Sequence, residues 1–306
     1  MRDSFLKSLT LLAKEDANVM LLTADLGFGV FEDFAESYPN QYLNVGVAEQ
    51  NMTGIATGLA LEGKTVFTYS IGNFPTLRCL EQIRNDACYH DVNVNIVSTG
   101  GGFSYGALGM SHHTTEDLSI MRALPGVTVV APCDGWEAER ATLQLAKQPG
   151  VGYLRIDKTT VESTVTADEE YLIGKARRIR EGDDISLICI GGITKEAMTA
   201  AEMLQKEGIN CRVVSMHTIK PLDIKEVKVC INETGGIVTV EENTILGGLG
   251  GAVAEFCIEN NIIPKAFKRI GLNDIYSSIV GSQEYLRNKY DMDADAIAQA
   301  VRNLNI

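Results

Sequence analysis

Two α/β domains, each a three-layer α/β/α unit with a mostly parallel sheet, are what this 306-residue sequence predicts. Three observations carry that expectation. Short apolar, β-branched runs alternate with longer helical patterns. The alternation breaks once, across a polar stretch, and then restarts. Glycine, 29 residues in all, gathers near the ends of the expected strands.

The elements follow in order. Residues 19–23, 65–69, 92–98, 127–131 and 152–156 read as buried strands, and helical patterns cover 4–14, 52–62, 76–88, 116–124 and 136–148. Thr114 precedes Glu116 and Asp117 at capping-box spacing, and Asp134 is placed to cap the next helix. Residues 159–181 are polar and mixed in charge, from Asp168-Glu169-Glu170 to Arg177-Arg178, as suits a connection between domains. A strand at 185–190, a helix over 195–207 and strands at 211–215 and 236–240 come next. A glycine-rich turn, a helix over 252–260, a strand at 267–270 and two helical patterns close the chain. The domains are expected at 1–160 and 181–306, joined by 161–180.

Composition removes several classes of function. Lys+Arg number 27 against Asp+Glu 40, and the net charge of −13 argues against general nucleic-acid or acidic-membrane binding. No apolar run approaches the roughly 18 residues of a membrane span, and the N-terminus lacks a signal-peptide core. Seven scattered cysteines without CxxC spacing read as the reduced thiols of a cytoplasmic protein. Histidines 90, 112, 113 and 217 offer no zinc-ligand spacing, so no metal ligand is expected on this chain.

Glycine runs at 100–102 and at Gly247-Gly248-Leu249-Gly250-Gly251 match neither a dinucleotide fingerprint nor a P-loop. Tight turns and close helix packing are the favoured reading, with a ligand beyond the strand ends, near a helix N-terminus, as the alternative. The segment Asn44-Val45-Gly46-Val47-Ala48-Glu49-Gln50-Asn51-Met52 says more. It runs from a short strand into a helix with small residues at 54, 56, 58 and 60, and Glu49 stands at the helix start. By itself that glutamate complements the helix dipole. A second segment, Gly106 to Asp117, sets His112 and His113 in a glycine-containing loop before a helix, a position suited to acid–base or substrate contact.

Together these motifs resemble the C-terminal half of a transketolase, as in the smaller subunit of split-gene transketolases. The resemblance is strongest from Asn44 to Asp134, over Gly46-Val47-Ala48-Glu49-Gln50-Asn51-Met52, Leu80-Glu81-Gln82-Ile83-Arg84 and Ser111-His112-His113 through Arg122-Ala123-Leu124-Pro125-Gly126. It continues through Val238-Thr239-Val240-Glu241-Glu242 and Gly247-Gly248-Leu249-Gly250. The resemblance implies a pyrimidine-binding domain followed by a transketolase C-terminal domain. The family's diphosphate domain carries Gly-Asp-Gly, which is missing here; Gly182-Asp183-Asp184 lacks the last glycine. The implied cofactor is thiamine diphosphate. Its Mg²⁺ and diphosphate contacts are then expected on a separate N-terminal diphosphate-binding subunit, in a heterotetramer. The implied reaction is transfer of a two-carbon ketol unit between sugars or sugar phosphates.

The resemblance also assigns residues. Glu49 would bond N1′ of the aminopyrimidine and share a proton there, which requires a buried carboxyl able to hold a proton near neutrality. Phe74 would stack on the ring, with Ile71 and Leu77 as an apolar wall and Asp25 near the cofactor; capping of a loop is the alternative for Asp25. His112 would contact substrate, His113 stands where the family often has glutamine, and Arg155 would bind a substrate phosphate, a surface salt bridge being its alternative. Leu108, Gly100 and Gly101 replace polar, sugar-reading side chains of full-length transketolases, so a wider pocket and an unusual sugar are expected. The remaining alternatives are the beta subunit of a 2-oxo acid dehydrogenase, a 1-deoxyxylulose-phosphate-synthase-like enzyme and a non-catalytic oligomer partner.

Overall fold

The computed structural model describes residues 1–158, 160–162, 165 and 169–304. Its first sheet contains β1 (Val19–Thr23), β2 (Tyr42–Asn44), β3 (Thr65–Ile71), β4 (Val94–Thr99), β5 (Val127–Val130) and β6 (Val151–Ile156). The second contains β7 (Arg177–Arg180), β8 (Ile185–Ile190), β9 (Cys211–Ser215), β11 (Ile237–Thr244) and β12 (Phe267–Leu272), while β10 (Thr218–Lys220) crosses back to the first. The orders are β10-β5-β6-β4-β3-β1-β2 and β12-β11-β8-β9-β7. Every pairing is parallel except β10 on β5 and β7 on β9. Two α/β units with mostly parallel sheets are therefore present, as the alternation predicts.

The apolar runs became strands because helices cover both faces of each sheet. β1, β4, β6, β8 and β9 are buried at every position, so their apolar residues face both helix layers, and Asn95, Arg155 and Arg212 are buried polar exceptions within them. One core joins Ile96, Val129 and Tyr153 of the first sheet to Ile188, Val214 and Ile237 of the second. Phe103, just beyond β4, packs with Leu286 and Ile297 of the second unit.

Three local expectations change. Asp134 caps the Gly135–Leu145 helix by accepting from the Glu137 N–H at 2.7 Å, but Thr114 caps nothing: the Asp117–Ala123 helix starts from Glu116. The end of the expected connection, Arg177–Arg180, is the edge strand β7. Residues 159, 163, 164 and 166–168 of that connection, with Asp168, lie outside the described residues. Strand β10, absent from the pattern, pairs with β5 about 90 residues earlier; Ala131 N–H donates to the His217 carbonyl beside it at 2.8 Å. Among the described residues all seven cysteines are free, and no helix is long and apolar enough to cross a membrane.

Candidate active site

The parallel strands β4, β3 and β1 lie side by side, and the loops leaving their carboxyl ends carry the residues of interest. Ligands of open α/β sheets bind at such ends. The turn after β3 is made by Gly72, at φ +38°; a Cβ there would fall 1.9 Å from Thr114 Oγ1. That close approach seats Asn73 and Phe74 against the histidine loop. Asn73 Nδ2 donates to the carbonyl of His113 at 2.7 Å, and the Phe74 and His112 rings meet edge to face with centroids 5.2 Å apart.

Glu49 is the first residue of the Glu49–Leu61 helix, and the residue is only 3% exposed. No side chain caps that helix start, so the carboxylate lies at the positive end of the helix dipole. Its Oε2 accepts from Arg78 Nη1 at 2.7 Å. The same guanidinium lies over the Phe74 ring, 4.5 Å from the centroid. A cleft of about 470 Å³ opens in front, lined by Asn73, Phe74, Leu77, Arg78, Met110 and His113 among others. Arg78 forms part of the cleft wall and Glu49 does not.

His113 is buried, its ring edge-on to Phe103 at 5.0 Å. Nε2 lies 3.0 Å from the Gly106 carbonyl, which only accepts, so Nε2 carries a proton. Nδ1 has no hydrogen-bond partner among the described residues, nor has Asn73 Oδ1. His112 is half-buried and pairs Nδ1 with Ser111 Oγ at 3.0 Å. Glu116 also lines the cleft; burial pushes its carboxyl above the usual range, against the Thr115 hydroxyl that donates to it at 2.9 Å.

Other expected site residues fall elsewhere. Asp25 is exposed at φ 56°, and its backbone N–H donates to Asn44 Oδ1 at 2.9 Å. Ile71 ends β3 outside the cleft lining. Arg155 is corrected outright. It is 2% exposed, and its guanidinium donates to Asp117 at 3.2 Å, Asp157 at 3.3 Å and the Glu242 carbonyl at 2.8 Å. Held in the interior by these three acceptors, it is not presented to a substrate phosphate from the surface, and it is no surface salt bridge either. Burial opposes its charge, but the Asp117 and Asp157 carboxylates outweigh burial and push its pKa up, so it stays charged.

The widened pocket is also not found. A Cβ at Gly100 would fall 2.1 Å from the Tyr105 ring, and one at Gly101 would fall 1.8 Å from Arg155 Nε. The space is filled, so these glycines serve close packing. Leu108 is 57% exposed, so a polar residue in its place would face solvent.

Sequence reasoning missed Arg78 and Asn73. Neither stands in a pattern that distinguishes it from a surface residue; both matter only because the Gly72 turn folds them onto the helix start and the histidine loop. Their arrangement fits the aminopyrimidine that the family resemblance implies. A flat N–H donor already bonds Glu49 and lies on the face of Phe74. For Mg²⁺ there is no comparable fit: no cluster of three metal-ligating side chains occurs among the described residues.

Comparison with known proteins bears on the whole chain. Residues 1–163 match the transketolase pyrimidine-binding domain, and residues 174–297 match the transketolase C-terminal domain. An apulose-4-phosphate transketolase subunit of Phocaeicola vulgatus is 35% identical, covering 97% of this chain and 95% of that one. The 6-deoxy-6-sulfo-D-fructose transketolase subunit SqwH of a Clostridium species is 34% identical, covering 99% and 94%. The 1-deoxy-D-xylulose-5-phosphate synthase of Syntrophotalea carbinolica is 32% identical over 98% of this chain but only 47% of its own. A solved chain described as a split gene transketolase, inactive beta4 tetramer, superimposes with a TM-score of 0.86 at 35% identity, covering 98% of this chain and 96% of that one.

Proposed function

Because the chain belongs to the transketolase family, we propose that it is the pyrimidine-side subunit of a split, thiamine-diphosphate-dependent transketolase. It transfers a two-carbon ketol unit between a ketose and an aldose, and it acts with a separate partner chain that supplies the diphosphate and Mg²⁺ contacts. The observation that carries this reading is the shared site of Glu49 and Phe74, one flat donor wide, at the carboxyl end of the sheet.

When bound, thiamine diphosphate supplies the nucleophilic carbon and electron sink that ketol transfer requires. The chain's own residues do the rest. Glu49 holds or gives up a proton at the pyrimidine nitrogen, and its burial keeps water from competing for that bond. Phe74 fixes the ring plane. His112, anchored through Nδ1 by Ser111, offers Nε2 to the substrate. Asn73 and His113 line the cleft that the substrate would enter. Leu77 gives an apolar wall.

The substrates belong to the sugar and sugar-phosphate class of the relatives, which by name act on apulose 4-phosphate and 6-deoxy-6-sulfofructose. Arg155 plays no part in that choice. The synthase likeness supports a second reading, condensation of pyruvate with an aldose phosphate. One experiment separates them. The chain is purified alone and with a diphosphate-binding partner, then given thiamine diphosphate, Mg²⁺ and either ketose donors or pyruvate. Ketol transfer only by the pair is expected. Robust turnover by the isolated chain, or a preference for pyruvate or other 2-oxo acids, rejects the proposal.

A further inference from the structure

We propose that Arg78 is a built-in stand-in for the cofactor: its guanidinium occupies the place of the aminopyrimidine in the unloaded chain and must swing out when the cofactor binds. This rests on the function proposed above. Glu49 is the first constraint. A carboxylate that is 3% exposed needs a partner at all times, because an uncompensated buried charge is costly. In the loaded enzyme the pyrimidine would supply it. In this chain by itself the partner is Arg78 Nη1 at 2.7 Å.

The same guanidinium makes the second contact that the ring would make. It lies on Phe74 at 4.5 Å from the centroid, and a planar cation on an aromatic face mimics a stacked heterocycle. The two contacts fix one position between carboxylate and ring, and two flat groups cannot share it. Arg78 also stands at the cleft wall in front of Glu49, so it closes the approach to the carboxylate. Its side chain can leave without moving the backbone: it is 46% exposed, and it projects from the 3₁₀ turn Leu77–Cys79 that opens the helical stretch running on to Cys88.

The consequence is a built-in competitor. A cofactor that binds only the Arg78-out state has its apparent affinity lowered by the fraction of molecules in that state. The competition is selective as well, because solvent and small anions cannot replace a cation that both stacks and donates.

The test uses the chain with its partner and Mg²⁺, comparing wild type, Arg78→Met and Arg78→Lys. Calorimetry measures thiamine diphosphate affinity, and thermal unfolding without cofactor measures the ion pair. Arg78→Met is expected to bind cofactor about tenfold more tightly, on the population argument, while its unloaded form melts lower. Adding Glu49→Gln to Arg78→Met should produce little further loss of thermal stability, since the pair is already broken. Arg78→Lys, which pairs but stacks poorly, should fall between. Wild type that binds cofactor alongside an Arg78→Met variant that binds it equally or less well overturns the stand-in and makes Arg78 a cofactor contact. Wild type that binds no cofactor with its partner present overturns the proposed function itself.

Discussion

Asn73 Nδ2 holds the backbone carbonyl of His113 at 2.7 Å, and so the turn that presents Phe74 is tied to the loop that presents both histidines. The tie is a neutral hydrogen bond between a side chain and a backbone, worth about 1 kcal/mol in stability. Its weight for activity should be larger, because it positions groups on either side of the cleft. Asn73→Ala is expected to leave the melting temperature within a few degrees of wild type and to lower turnover about tenfold. Unfolding curves and steady-state kinetics on the assembled enzyme check this; unchanged kcat removes the positioning role.

Glu49→Gln should fold normally and lose about 10²- to 10⁴-fold in turnover, the usual scale of acid–base catalysis. An amide still accepts a hydrogen bond but cannot share a proton in the same way. It also releases Arg78, so cofactor affinity should change less than activity. Rates within threefold of wild type would falsify the assignment.

Phe74→Ala should chiefly raise the cofactor dissociation constant, because a stacking face is lost. The edge contact with His112 at 5.2 Å means that kcat should fall as well. His112→Ala should lower kcat and leave the cofactor constant in place. The reverse pattern, measured by calorimetry beside kinetics, shows that the two loops have exchanged roles.

Arg155→Met should act on stability and not on substrate. It strips the counter-charge from Asp117 and Asp157 inside the protein, a change that costs roughly 3–5 kcal/mol for a buried pair. Denaturant midpoints should fall sharply. The surviving folded enzyme should keep its KM for phosphorylated sugars. A raised KM with an unchanged midpoint restores Arg155 as a phosphate ligand.

Two interior carboxyls set a pH dependence. Burial pushes Glu137 and Glu241 up from 4.5 to about 7, Asp134 adding to the effect on Glu137. Each then binds more protons folded than unfolded between those values, so stability is greatest below about pH 4.5 for this pair and falls as pH rises through 7. The melting temperature should drop from pH 5 to pH 8. Glu241→Gln should flatten the slope, because an amide does not titrate in this range, while its oxygen can still accept from the Leu249 and Gly250 N–H groups that donate to Glu241 at 2.8 and 2.9 Å. A slope untouched by that change rejects the explanation.

Strands such as Val19–Thr23 and Ile185–Ile190 were legible, since burial on both faces leaves a nearly unbroken hydrophobic run. Strands of three residues, such as Thr218–Lys220, have no room for a period, and their pairing is decided by distant chain. In the site, Glu49, Phe74 and His112 could be picked out as candidates because they stand in a recognisable motif. Arg78 and Asn73 could not, for they depend on how one turn folds back. Arg155 carried a usable signal that was misread. It is a charge inside the buried strand Val151–Ile156, and a charge there must be paired.

The crossing of β10 bears on how the protein can be taken apart. β5 has β10 on one side and β6 on the other, so both of its edges are paired. A fragment cut at the polar connection would lose β10 and expose β5 as a sticky ribbon of backbone donors and acceptors. Chimaeras that exchange one half for a relative's must therefore carry residues 218–220 with the half they complete, or supply a matching strand. The junction that looks natural on a linear map is not the junction of the folded object.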